Sequence, residues 1–167
     1  YDRDLNSYYK LFKKIFCKSK YAYSQCKIDG LDNIENMPRI LWNFPISNVK
    51  DINEKIKVVF NGGTGGFKDR RNLEAIINLF KDYQDNDVSL TIKLTHDLRR
   101  WTKKILNKNL SFINNDCRIE LVQKMMCRSE YINFLNQFDV NLCPSKYEGF
   151  GLTLLEGLHS RLASITI

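Results

Sequence analysis

Apolar and polar positions alternate in regular blocks from residue 55 onward. Five short apolar runs, rich in branched side chains and bounded by turn residues, predict strands at 57–61, 88–94, 118–121, 140–143 and 163–167. Apolar residues at helical spacing predict helices near 71–83, 98–106 and 130–138 and from residue 151 onward. Strands that alternate with helices in this way predict an α/β fold, with a parallel sheet covered on both faces.

The first third of the chain is less regular. A helix is predicted over 4–17, short strands at 21–24 and 39–44, and a loop or frayed helix over 26–37. The first helix interleaves aromatic residues with cations, a pattern that suits an anionic lipid surface. The same pattern also fits a solvated helix that packs its apolar side on a core, and this interpretation is favoured.

Length and composition indicate one globular domain with an appendage. The 167 residues are 43% hydrophobic and 27% charged, and no apolar stretch approaches the roughly 20 residues of a membrane-spanning helix. The chain begins with Tyr1 and ends on an apolar run, so we expect a fragment of a longer protein.

The cysteines and the net charge limit the kinds of metal site, redox compartment and partner that the chain can have. The five cysteines form no CxxC pair and there are only two histidines, so a zinc site has little support and a reducing cytosol is favoured. The net charge of +7 is compatible with nucleic acid, an anionic membrane or phosphate-bearing substrates as partners.

The segment 143–157 carries the most informative pattern. A buried strand ends at Pro144, a loop carries Glu148, and Gly149 and Gly151 open a helix that contains Glu156. A helix that starts just past a strand end offers unpaired backbone N–H groups and a positive dipole end, which suit a phosphate. An ordinary α/β turn with solvated charges is the alternative, and Glu156 argues against it because apolar residues surround it.

This segment resembles the glutamate-x7-glutamate signature of the group 1, family 4-like, retaining glycosyltransferases of the GT-B fold. The resemblance implies two Rossmann-like domains, of which residues 47–167 would be the nucleotide-sugar donor domain and residues 1–46 the tail of the acceptor domain with its linker. It implies that Glu148 meets the donor sugar as the catalytic-site carboxylate and that Glu156 holds the ribose. The backbone that meets the sugar and diphosphate would be Gly149, Phe150, Gly151 and Leu152.

A second feature is the glycine-rich segment 61–72, which follows the first strong strand. It is neither a Walker A loop nor a GxGxxG turn, but its glycines precede three cations and could cradle a diphosphate. By the resemblance, Arg71 is the best match to the basic residue that neutralises the diphosphate. The remaining candidates for diphosphate contact are Gly62, Gly63, Lys68 and Arg70.

The sequence departs from the resembled family at several places. The family's first arginine, directly after the glycine of the strand, has no counterpart because Gly63 occupies its place. A glycine and a proline before the last strand are replaced by Arg161 and Ala163. By the resemblance, Lys124 and Met125 match the backbone segment that would meet the nucleobase.

The resemblance implies transfer of a hexose from a nucleotide-sugar to an acceptor hydroxyl, with retention, in polysaccharide, lipopolysaccharide or glycoconjugate biosynthesis. It implies no cofactor and no metal, and an acceptor glycan or lipid-linked glycan bound through an N-terminal domain that this chain lacks. We therefore expect a cytoplasmic protein, peripheral at the membrane if at all, and no transfer by this fragment alone. The alternatives are a basic module that binds nucleic acid or a membrane surface, and a related nucleotide-sugar epimerase.

Overall fold

A computed structural model describes residues 9–17, 19–37, 55–147 and 151–166. The chain divides into two compact units, residues 1–43 and residues 44–167. The strand predicted at 39–44, the start of the helix predicted at 4–17, and Glu148, Gly149 and Phe150 lie outside the described residues.

The first unit contains two short parallel strands, β1 (Ile15–Cys17) and β2 (Ile34–Asn36), joined by helix α1 (Lys20–Ile28). The predicted helix over 4–17 is therefore wrong at its end, and the predicted strand at 21–24 is wrong because those residues are helical. The loop or frayed helix predicted over 26–37 contains the end of α1 and all of β2.

A helix cap and a strand pairing explain these corrections. The Ser19 side chain accepts a hydrogen bond from the Ala22 amide at 3.1 Å, which caps the amino end of α1. Cys17, Leu31 and Ile34 are buried and form a small core against α1. The pairing of β1 with β2 joins residues 15–17 to residues 34–36. A sequence pattern confined to residues 4–17 does not contain this pairing.

The second unit contains a five-stranded parallel sheet with the order β5-β4-β3-β6-β7. Its strands are β3 (Ile56–Gly63), β4 (Val88–Leu94), β5 (Ile119–Gln123), β6 (Val140–Cys143) and β7 (Ala163–Thr166). Every neighbouring pair is parallel, so the predicted sheet is confirmed.

Four α-helices and one short 3₁₀ turn connect these strands. They are the turn Phe67–Asp69 and helices α2 (Leu73–Asp82), α3 (Arg100–Asn115), α4 (Arg128–Leu135) and α5 (Leu152–His159). The third helix runs nine residues beyond its predicted end at residue 106, because Ile113 continues its buried apolar stripe.

The two faces of the sheet have different chemistry. On one face Phe60, Leu90 and Ile92, each at most 1% exposed, pack with the apolar sides of α2 and α3. Burying each such side chain contributes about 1.5–3 kcal/mol. The opposite face carries Val59 with Leu135 in a smaller core, and it also buries polar side chains.

Strand order determines where the loops meet. Strands β3 and β6 are neighbours in the middle of the sheet, although 76 residues of chain separate the end of β3 from the start of β6. Because both run in the same direction, the loops that follow them lie at the same edge. The glycine-rich segment and the segment before α5 are therefore brought together.

Candidate functional site

The loops after β3 and β6 are joined by hydrogen bonds. The Lys146 amide donates to the Arg70 carbonyl at 2.9 Å. The Arg70 guanidinium in turn donates to the Tyr147 carbonyl at 2.8 Å. The two segments that the sequence singles out thus form one surface at the carboxyl edge of the sheet.

Arg71 connects this surface to the first turn of α5. Its Nη1 atom lies 3.3 Å from the Ser145 hydroxyl and 3.3 Å from the Thr153 hydroxyl. The guanidinium is half-buried beside the amino end of α5, where the N–H groups of a helix have no partner within the helix and the helix dipole has its positive end. Two sources of positive potential therefore lie side by side.

Two glycines of the loop are needed for close packing or for an unusual backbone. A Cβ atom at Gly65 would lie 1.6 Å from the Thr102 hydroxyl of α3, so only glycine lets the loop rest there. Gly63 has a positive φ of 56° with no atom within 4 Å of where its Cβ would be. Gly63 therefore leaves open space at the end of β3, whereas Gly62 is buried against Leu94.

Asp69, which sequence reasoning missed, fixes the loop to the following helix. Its carboxylate accepts the amide hydrogens of Leu73 at 2.8 Å and Glu74 at 3.0 Å, and thereby caps α2. Lys68 precedes it with a positive φ of 46°, and its ammonium lies 5.4 Å from the centre of the exposed Phe67 ring. The ammonium of Lys68 is thus on the outer side of the loop, in solvent.

Glu156 is half-buried on α5 and accepts a hydrogen bond from the Tyr131 hydroxyl at 3.2 Å. The Tyr131 oxygen accepts one from the Asn61 amide at 2.5 Å. Burial and the neighbouring Glu156 charge raise the pKa of Tyr131, so its hydroxyl keeps its proton and donates a hydrogen bond to the carboxylate. Strand β3, α4 and α5 thus hold Glu156 jointly.

Lys93 is the second residue that sequence reasoning missed. It belongs to β4, pairs with Asn61 across the sheet and is only 6% exposed. Its ammonium lies 5.7 Å from the centre of the Tyr131 ring. Burial lowers the pKa of Lys93, and the charge of Glu156 opposes this effect.

The remaining predicted site residues are placed as follows. Gly151 caps α5 with a φ of 66°, and Leu152 is the first residue of that helix. Lys124 and Met125 follow β5, where the Lys124 amide donates to the Leu94 carbonyl at 3.1 Å. The Lys124 ammonium pairs with Glu130 at 3.5 Å, and Met125 is 63% exposed. Their roles, like those of Glu148, Gly149 and Phe150, stay predictions.

The arrangement can stabilise negative charge that develops on a bound group. Arg71 and the amino end of α5 present preformed positive groups at one edge, which need no rearrangement when charge appears. Among the described residues no group of three or more histidine, cysteine or acidic side chains is placed to hold a metal ion.

Comparisons with known proteins agree with the fold. No family model matches the chain. It is 27% identical over 152 residues to an uncharacterized glycosyltransferase of Methanocaldococcus jannaschii, with 87% of this chain and 37% of that protein covered. The chain thus spans well under half the length of this curated relative.

Two solved structures are similar in fold. A mutant of TarM from S. aureus, crystallised with fondaparinux, alpha-GlcNAc-glycerol and UDP, matches with a TM-score of 0.71 at 15% identity, over 95% of this chain and 30% of that one. HepE from Anabaena, in complex with UDP and glucose, matches with a TM-score of 0.67 at 9% identity, over 99% and 48%. These identities establish the likeness of fold alone.

The resemblance that the sequence predicts, to a C-terminal domain of the GT-B glycosyltransferases, is confirmed by these comparisons, and so is its Rossmann-like α/β class. Within the described ranges, no helix is both long enough and apolar enough to cross a membrane.

Proposed function

We propose that this chain is the donor-binding part of a retaining hexosyltransferase that uses a nucleotide-sugar. The observation that carries the proposal is the contact of Arg71 with both Ser145 and Thr153, which joins the glycine-rich loop to the amino end of α5. Glu156 lies one turn further along that helix, held by Tyr131. A cation, a helix end and a carboxylate thus adjoin one another, as a diphosphate followed by a ribose requires.

In this proposal each group has a separate task. Arg71 and the amide groups at the start of α5 stabilise the charge that grows on the departing diphosphate. Glu156 accepts hydrogen bonds from the ribose hydroxyls. Glu148 orients the transferred sugar, and Gly149 and Phe150 supply backbone contacts to it. Because side-chain cations can balance the diphosphate, donor binding is proposed to need no divalent metal.

The acceptor completes the proposal. We propose that a glycan or lipid-linked glycan binds on an acceptor domain outside this chain, in a pathway of polysaccharide or glycoconjugate synthesis. Positioning of two substrates can contribute about 7–11 kcal/mol to barrier reduction, so the fragment alone should not transfer sugar. We propose a reducing, cytoplasmic location, with which five cysteines that form no disulfide are compatible.

A thermal-shift and calorimetric screen tests the donor site. The purified chain is mixed with UDP, GDP and ADP and with their sugar conjugates, with and without EDTA. One nucleoside family should raise the melting temperature, and about 100-fold saturation corresponds to about 2.7 kcal/mol of stabilisation. EDTA should leave the shift unchanged.

Arg71→Met serves as the matched loss of function in this screen, and Lys57→Met, at the opposite end of β3, controls for a general loss of positive charge. The first variant should lose most of the shift and the second should retain it. Unchanged melting across all nucleotides, or equal loss in both variants, would contradict the donor site.

A second candidate function rests on helix α3. Its outer side carries Arg100, Lys103 and Lys104 beside Trp101, which is 44% exposed, around a surface cleft of about 560 Å³. Cations flanking an exposed tryptophan suit an anionic lipid surface. Co-sedimentation with phosphatidylglycerol vesicles, lost in Lys103→Glu with Lys104→Glu, would support this peripheral contact; equal binding to phosphatidylcholine vesicles would contradict it.

A further inference from the structure

We propose that Lys93 supplies a cationic contact to the diphosphate of the donor, in place of the arginine that the resembled family carries where this chain has Gly63. This inference rests on the proposed function, because it assigns a residue to the same site. Neither the glycine-rich loop nor the signature segment contains Lys93, so neither pattern points to it.

The surroundings of Lys93 first set it apart from an ordinary strand residue. Its side chain is buried on the polar face of the sheet, yet its ammonium has no hydrogen-bond acceptor among the described residues. Because Lys93 is only 6% exposed, its ammonium is poorly hydrated, and the Tyr131 ring and the nearby Glu156 charge offset this cost only in part. Such a group is expected to find its acceptor in a ligand.

Lys93 also lies close to Gly63 in the sheet. Asn61 pairs with Lys93, and Gly63 pairs with Leu94, the very next residue of β4, after an irregularity at the end of β3. Lys93 therefore lies at the same strand end as Gly63, where the space beside the glycine is open. Lys68, the other cation that could replace the missing arginine, instead lies over the exposed Phe67 ring.

The neighbours of Lys93 are compatible with an anionic ligand. Glu156 of α5 accepts a hydrogen bond from the Tyr131 hydroxyl, so one of its oxygens already has a donor, and Tyr131 of α4 stays neutral. Glu120 of β5 lies toward the amino end of the sheet and accepts from the Thr91 hydroxyl at 3.2 Å. Cys143 of β6 is a further titratable group close to Tyr131.

A rival role is purely internal: Lys93 could balance Glu156 and keep its carboxylate oriented, with no ligand contact. The two roles differ in what they do to a ligand that lacks phosphate. A contact to the diphosphate affects nucleoside diphosphates alone. Orientation of Glu156, which is proposed to hold the ribose, affects the nucleoside and the nucleoside diphosphate equally.

The test compares wild type, Lys93→Met and the control Lys57→Met. Calorimetry measures the affinity of the responding diphosphate among UDP, GDP and ADP, and ligand-observed NMR measures that of the matching nucleoside. Methionine keeps the length of the side chain and removes its charge, and circular dichroism verifies the fold; Lys93→Gln is a second neutral variant.

Lys93→Met should weaken the diphosphate about 10- to 100-fold, the usual worth of a charge-assisted contact, and change the nucleoside less than about twofold. Lys57→Met should leave both unchanged. In wild type, the diphosphate affinity should fall at alkaline pH as the ammonium loses its proton, and this fall should be absent in Lys93→Met.

Equal weakening of nucleoside and diphosphate would overturn the proposal in favour of the orienting role, and an unchanged diphosphate affinity would overturn it outright. The wild-type titration separates these failures from that of the donor site. If the wild-type protein binds no diphosphate, both the proposed function and this inference are overturned. If the wild-type protein and the Lys93→Met protein bind the diphosphate equally well, only the role of Lys93 is overturned.

Discussion

Two buried cations at opposite ends of the same sheet differ in their surroundings. Arg118 precedes β5 at the amino end of the sheet, and Lys93 is the last residue but one of β4, at the carboxyl end. Both are at most 9% exposed. Arg118 is surrounded by acceptors, whereas Lys93 has an aromatic ring and a neighbouring carboxylate charge but no acceptor among the described residues.

The contacts of Arg118 are internal to the fold. Its Nε and Nη2 atoms lie 3.0 and 2.7 Å from the two carboxylate oxygens of Asp116. The guanidinium also donates to the carbonyls of Phe80, at 2.9 Å, and of Tyr83 and Asp85. A planar group with five donors suits such a cluster of carbonyls at the end of α2.

The comparison teaches how to separate a structural cation from a functional one. A buried charge that is fully hydrogen-bonded contributes to the fold, and its removal leaves partners without donors. A buried charge without acceptors contributes little to the fold and is available to a ligand. The two residues should therefore respond in opposite ways to the same substitution.

The largest effect is expected from Arg118→Met. The change leaves the largely buried Asp116 carboxylate and three carbonyls without their donor, so the free energy of unfolding should fall by about 3–5 kcal/mol. Urea denaturation measures it. Nucleoside diphosphate affinity of the folded protein should not change; a loss below about 1 kcal/mol would remove the structural half of the comparison.

Next in size is the effect of Glu156→Ala on ligand affinity. Its hydrogen bonds to ribose hydroxyls are charge-assisted and worth roughly 1.5–3 kcal/mol each, so nucleoside diphosphate affinity should fall by at least about tenfold. Glu148→Ala should weaken the nucleotide-sugar and spare the free diphosphate. Calorimetry measures the affinity of each variant for the nucleotide-sugar and for the free diphosphate. Equal losses of affinity for the free diphosphate in the two variants would show that their roles are misassigned.

The pH dependence of stability tests the structural role of Arg118. The Arg118 guanidinium holds the pKa of Asp116 below its usual value, so this pair contributes stability above about pH 4 that is lost as pH falls through the lower pKa of the folded protein. Asp116→Asn should cost about 1–3 kcal/mol at neutral pH, and this difference should shrink toward about pH 2. Urea titrations across this range test it; a difference that grows on acidification would contradict the sign.

The smallest expected effect is that of Lys93→Met on stability. Because a buried charge without an acceptor is replaced by an apolar chain of similar length, the free energy of unfolding should stay within about 1 kcal/mol of wild type or rise. The measurement is the same urea titration without ligand. A loss comparable to that of Arg118→Met would mean that Lys93 too is a structural cation.

The sheet was predictable because its strands are local signals. Strand Val88–Leu94 matches its prediction at both ends, since Leu90, Ile92 and Leu94 alternate with smaller or polar residues. Helix bounds were less accurate, as the long α3 illustrates. The meeting of the loops after β3 and β6 was also predictable, because parallel strands place their carboxyl ends at one edge.

The first unit was not predictable from local pattern. Cations spaced along 10–20 imitate an amphipathic helix, but Ile15 pairs with Ile34 in a strand. Such non-local pairing overrides a weak local preference. Helix α1 was missed because its alternating aromatic residues, Tyr21 and Tyr23, imitate a strand, while the cap at Ser19 favours a helix.

Lys93 was missed for a different reason. In the run from Val88 to Leu94 it occupies a polar position of a period-two pattern, which ordinarily faces water. Here α4 and α5 cover that face, so the same alternation buries Lys93 and Thr91. A polar residue in a strand that is predicted to be covered on both faces is a pattern that could have identified Lys93.

The most direct test of the contrast between the two cations is the pKa of Lys93 itself. Carbon-13 NMR of labelled lysine side chains, with the signal assigned by its loss in Lys93→Met, follows its titration with and without the responding nucleoside diphosphate. We predict a pKa below that of ordinary lysine in the free protein and a clear rise when the diphosphate binds. A pKa that is unchanged by saturating diphosphate would contradict the placement of Lys93 in the donor site.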